Sequence, residues 1–150
     1  MCEVENNVQN ETLEANSISR YKKREQAFIL SFETLFSDTE IDELADNAVD
    51  SNDEYMSDYA IMCAKGIVEN SEVIDKHISD NLKKGWKLNR ISKVSYAIMR
   101  LAVFEMLFVA DVPVSVSINE AVELAKKYSV SSESSFVNGV LGSVAKSIDE

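Results

Sequence analysis

One proline and four glycines in 150 residues leave this chain too little punctuation for a β-sandwich or a barrel, whose hairpins each need turn residues. Helices are the alternative, and apolar residues recur at the three- and four-residue spacing that helices require. Phe28, Phe32, Leu35 and Phe36 share one stripe of a first helix that starts near Arg20. Ser37-Asp38-Thr39-Glu40 has the S-x-x-E form of a capping box and opens a second helix through Ile41, Leu44, Ala45, Ala48 and Val49. After the polar run Asp50-Ser51-Asn52-Asp53, a third stripe comprises Tyr55, Tyr59, Met62, Cys63, Gly66 and Ile67. Ile74, Ile78 and Leu82 follow, either as a fourth helix or as a continuation past a kink.

From Val94 to Val109 apolar residues lie on every side, with Arg100 and Glu105 the only charges, so this segment reads as a buried central helix. Asp111-Val112-Pro113 ends it, because the residue before proline avoids the α region. A second capping box, Ser117-Ile118-Asn119-Glu120, starts a helix through Ala121, Val122, Ala125 and Tyr128. A serine-rich break at Ser129, Ser131 and Ser132 precedes a terminal stripe of Phe136, Val137, Val140, Leu141, Val144, Ala145 and Ile148. Gly139 and Gly142 within that stripe each cost about 1 kcal/mol relative to alanine, which reads as close helix approach. The expectation is an all-α domain of about six or seven helices over residues 20–150. It is preceded by an acidic, disordered tail, residues 1–19, too poor in large apolar groups to offset the entropy of ordering.

No catalytic or metal-binding constellation is visible. His77, the single histidine, stands beside Asp75 and Lys76 as a solvated side chain would. A calcium loop starting at Asp50 fails, since Tyr55 holds the glycine position and Ile61 that of the bidentate glutamate. Neither GxxxxGK[ST] nor GxGxxG occurs. No apolar run approaches the roughly 18 residues of a membrane span, and the acidic N-terminus has no signal-peptide character. With two cysteines outside any CxxC pattern, these features point to the cytoplasm.

The net charge of −11 argues against nucleic acid only as an average. Arg20-Tyr21-Lys22-Lys23-Arg24 forms one basic island, and Lys83, Lys84, Lys87, Arg90 and Lys93 form a second around Trp86. Remote acids are screened beyond about 8 Å at physiological salt, so a local cluster can still hold phosphate. Basic residues opposing the dipole of the first helix fit an anion or, more blandly, a solvated helix start; Trp86 fits an anchor under a loop or a stacking platform.

Val116-Ser117-Ile118-Asn119-Glu120-Ala121-Val122-Glu123-Leu124-Ala125-Lys126-Lys127-Tyr128, followed by Phe136-Val137-Asn138-Gly139-Val140-Leu141, closely resembles the C-terminal motif of the NusB family of bacterial transcription antitermination factors. Arg24-Glu25, Trp86 before Arg90, the run Val94 to Glu105 with Arg100, and Val112-Pro113 occur in the family's order, so the resemblance spans about residues 20–148. It implies two small helical bundles sharing a long central helix, with no cofactor and no metal. It further implies that Arg20, Lys22, Lys23, Arg24 and the aromatic position Phe32 meet the boxA RNA element of ribosomal operons, together with Ser132 and Phe136 at the start of the last helix. The implied protein partner is the small-subunit ribosomal protein that acts as NusE, near Lys93, Tyr96 and Arg100, within the antitermination complex of RNA polymerase. Two other readings stand beside it: a homodimeric interaction module that hides the RNA surface, and a stand-alone relative of the N-terminal module of an RNA cytosine methyltransferase.

Overall fold

A computed structural model describes residues 20–52 and 56–149. The tail expected at 1–19, Cys2 within it, and the positions Asp53 and Tyr55 lie outside the described residues. Helix α1 covers residues 20–34, followed by α2 (Ile41–Asn52), α3 (Asp58–Glu69), α4 (Ser71–Asp80), a single 3-10 turn (Leu88–Arg90), α5 (Lys93–Phe108), α6 (Val114–Tyr128) and α7 (Ser131–Asp149). Among the described residues there is no strand.

A helix that is apolar all round has no face to give to water, and α5 accordingly takes the centre. Ser95 and every residue from Ala97 through Glu105 are buried. The Ser92 hydroxyl caps the helix by accepting from the Ser95 N–H. Helices α2 and α3 pack together and α3 packs on α5, while α4, α6 and α7 pack on α5 and on one another through α7. These are the two small bundles sharing a central helix that the family resemblance implies. Helix α1 joins them: the Phe28 ring lies 5.0 Å from that of Tyr128 at the end of α6, and the Gln26 Oε1 accepts from the Ser57 N–H at the start of α3.

Both capping boxes are displaced from the true helix starts. Ser37 instead accepts from the Thr39 N–H at 3.1 Å and hydrogen-bonds its hydroxyl at 2.6 Å, a local turn that leaves α2 to begin at Ile41. Helix α6 begins at Val114 behind Pro113, whose fixed φ of −59° sets the chain direction. Ser117 therefore lies inside the helix, buried, with its hydroxyl unpartnered. The question left open between α3 and α4 resolves as two helices broken at Asn70, whose Nδ2 donates to the Gly66 carbonyl at 2.8 Å. Phe36, expected on the first core stripe, lies past the end of α1 and is 63% exposed.

The glycines also divide differently from expectation. A Cβ at Gly66 would overlap the Phe104 ring, whereas one at Gly139 or Gly142 meets nothing within 4 Å, so close approach explains Gly66 alone. Gly66→Ala is expected to lower the unfolding free energy by about 1–3 kcal/mol through overpacking. Gly142→Ala is expected to raise it by up to about 1 kcal/mol through helix propensity. Urea unfolding of the two variants checks both signs, and equal signs would refute this assignment.

Candidate nucleic-acid interface

The first basic island splits at α1. Arg20 and Lys22 are exposed and Lys23 half-buried, but Arg24 falls on the inner face one turn before Phe28 and is buried. Its guanidinium grips the carboxylate of Glu105 in α5 along one edge, Nε donating to Oε1 at 3.0 Å and Nη2 to Oε2 at 2.9 Å. The Tyr59 hydroxyl donates to the same Oε2 at 2.6 Å, and Glu120 lies 3.9 Å from Arg24 Nη1. A carboxylate buried in an apolar helix demands such a partner, and this corrects the expectation that Arg24 faces RNA. Burial opposes the Arg24 charge, but the hydrogen bonds and charge of Glu105 outweigh it and hold the guanidinium above its ordinary range. Burial, reinforced by the Glu105 hydrogen bond, pushes the Tyr59 phenol far up. Burial pushes the neighbouring Cys63 thiol up to about 12.

Above this core pair, Arg20 and Lys23 flank a hollow of about 210 Å³ floored by Arg24 and Tyr59. The start of α1 is tied to the end of α6 by Glu25, which accepts from Lys127 Nζ at 2.5 Å and raises the pKa of that ammonium. The same ammonium lies 5.8 Å from the Tyr21 ring and 5.5 Å from that of Tyr128. Phe32 is not part of this cluster: it lies twelve residues along α1 from Arg20, about 18 Å at 1.5 Å per residue. Its half-buried ring lies between those of Phe28 and Phe36.

The second island is an exposed loop. Gly85 takes a φ of +93°, open to glycine, and turns the chain between Lys84 and Trp86. Trp86 is 54% exposed, so it does not anchor the loop beneath the surface. Its ring instead rests against Phe136 of α7, centroids 5.6 Å apart and planes 31° from parallel. A hollow of about 390 Å³ opens on the Lys83 side of this aromatic pair. Another of about 300 Å³ opens on the Arg90 side and reaches Ser132 and Glu133. The structure thus brings Ser132 and Phe136 to one hollow and adds Trp86 and Arg90 to it. The signal for that addition was the tryptophan inside a basic run.

Of the residues expected at a protein partner, Lys93 is exposed and Tyr96 half-buried on one face of α5. Arg100 is buried and already engaged: its Nε and Nη2 each lie 2.9 Å from Asp75, which also accepts from the Tyr96 hydroxyl at 2.6 Å. The Arg100 guanidinium lies 4.4 Å from the centre of the Tyr96 ring. Arg100 therefore clamps α5 to α4, so of the three residues expected near the protein partner it is the one buried in the fold. Among the described residues no helix is long and apolar enough to cross a membrane.

Comparison with known proteins places these features in a family. The NusB family model matches residues 6–146. The transcription antitermination protein NusB of Clostridium novyi is 43% identical over 133 residues, covering 86% of this chain and 99% of that protein. Among solved structures, T. maritima NusB superimposes with a TM-score of 0.74 at 36% identity, covering 85% of this chain and 90% of that one. A structure of the antitermination factors NusB and NusE in complex with dsRNA gives a TM-score of 0.74 at 28% identity, covering 85% and 98%.

Proposed function

The chain belongs to the NusB family, and from that premise we propose that it acts in the cytoplasm as a non-enzymatic transcription antitermination factor, binding boxA-type RNA of ribosomal transcripts together with NusE. The observation that carries the reading is the placement of two cation groups and one aromatic pair, an exposed Trp86 on a half-buried Phe136, on an otherwise acidic body. Arg20, Lys22 and Lys23 form the first group, and Lys83, Lys87 and Arg90 form the second beside Trp86 and Phe136. Phosphates are held by the cations and unpaired bases by the aromatic rings, which is how single strands are bound. Ser132 borders the Arg90-side hollow and contacts the same strand. Phe32 serves as core support rather than as a base contact. NusE docks against the face of α5 that carries Lys93 and Tyr96, with Arg100 holding that face in place through Asp75.

A titration of boxA-containing RNA, with and without the ribosomal partner, tests this reading. The expected result is RNA binding by the chain alone that tightens when NusE is present, and NusE binding that tightens by the same factor when RNA is present. Independent affinities would remove the coupling. No RNA binding by either form, with a doubled mass in solution, would favour the occluded homodimer.

A further inference from the structure

Gly139 has no packing reason to be glycine. It sits exposed in the middle of α7, and a Cβ there would meet nothing within 4 Å. Alanine at such a position favours the helix, so the bare backbone calls for another explanation. Gly139 borders the hollow of about 390 Å³ on the Lys83 side of Trp86, a volume within the usual range of small-ligand sites, about 300–1,000 Å³. The hollow has an apolar wall in Phe136 and a cation at its mouth in Lys83. Its far end is fixed by Asn81, whose Oδ1 accepts from the Ser143 hydroxyl at 2.8 Å and whose Nδ2 donates to the His77 carbonyl at 2.7 Å.

We propose that this hollow is a nucleobase slot: one unpaired base of single-stranded RNA stacks on the exposed Trp86 ring that lines it and lies over the bare backbone at Gly139, with Lys83 on the adjoining phosphate. The proposal rests on the RNA reading above and names the position at which one base is received. A flat ring needs an aromatic face and a floor without a side chain, and both are present. The charge at the mouth selects a polyanion over an apolar peptide, since no acidic residue occurs from Lys83 to Lys93.

Trp86 is the single tryptophan of the chain, so its emission reports the slot directly. On titration with single-stranded boxA-containing RNA, the emission is expected to quench along the same curve as RNA fluorescence anisotropy. Gly139→Leu, which fills the slot, is expected to weaken binding by roughly 5- to 150-fold, the equivalent of one lost stacking contact. Gly139→Ala is expected to weaken it less. Both should melt at or above the temperature of the unsubstituted chain, because both residues favour helix over glycine. That combination excludes a folding defect as the cause of lost affinity. Retained affinity in the leucine variant, or RNA binding that leaves Trp86 emission unchanged, would overturn the slot while leaving the RNA reading intact. If the leucine variant fails to fold, the alanine variant and the emission titration decide by the same criteria. Absence of RNA binding by the unsubstituted chain would overturn both.

Discussion

Glu105→Ala is expected to lower the unfolding free energy by about 3–5 kcal/mol, the usual consequence of removing one partner from a buried ion pair. Domains hold only about 5–15 kcal/mol in total, so this variant approaches the edge of folding. The physical reason is the group left behind. Arg24 loses all its hydrogen bonds to Glu105 while its side chain remains 11% exposed, and the Tyr59 hydroxyl loses its acceptor at the same time. Glu120 lies 3.9 Å from Arg24 and is partly exposed, too weak a substitute to hold the charge. The triple variant Arg24→Leu, Tyr59→Phe, Glu105→Leu removes the hydrogen-bonded trio at once, leaving only the partly exposed Glu120, and is expected to recover most of the loss, since apolar replacement of a whole buried pair is often neutral or stabilising. Guanidinium unfolding of the two variants separates the explanations. A Glu105→Ala midpoint close to that of the unsubstituted chain would show that the pair does not tie α1 to α5.

The pair also marks what the sequence could reveal about the fold. Helix α5 was legible because a run apolar on every side has one stable location, and the terminal stripe was legible because Val137, Val140, Leu141 and Val144 repeat at helical spacing. Arg24 looks in the sequence like one of four neighbouring cations, although its spacing to Phe28 puts it on the apolar stripe. Glu105 within the apolar run was the stronger clue, since a buried carboxylate requires a cation from elsewhere. The helix starts escape the sequence pattern for a related reason: S-x-x-E states that a cap can form, while Pro113 and the turn at Ser37 decide where the chain enters the helix.

The candidate interface was legible in its charges and not in its assembly. Lys83 to Lys93 announced themselves by composition, but the contact between Trp86 and Phe136 joins residues fifty positions apart and depends on how α7 lies beside the loop. Likewise Tyr96 and Arg100 are spaced for one helix face, yet only the position of Asp75 on α4 shows that they are engaged with each other and with the core. Local pattern fixes which residues share a helix face; which face meets which neighbour is a tertiary property.

Replacing Arg20, Lys22 and Lys23 together by glutamine is expected to flatten the dependence of log RNA affinity on log salt by about 2 units, since each phosphate neutralised on a single strand contributes a slope of about −0.7. Near 0.1 M salt the same change corresponds to roughly a hundredfold weaker binding. Arg24 is left in place because its loss would unfold the support beneath the other three. The fold should be unaffected, as Arg20 and Lys22 are exposed and Lys23 only half-buried. Trp86→Ala provides the contrasting case: it removes a stacking face, is expected to cost about 1–3 kcal/mol of binding, and should leave the salt slope nearly unchanged. Charge and stacking thus predict two independent signatures on one titration series across ionic strength. A triple glutamine variant that remains folded and keeps both its affinity and its slope would show that the RNA does not pass over the start of α1, and would confine the interface to the loop beside α7.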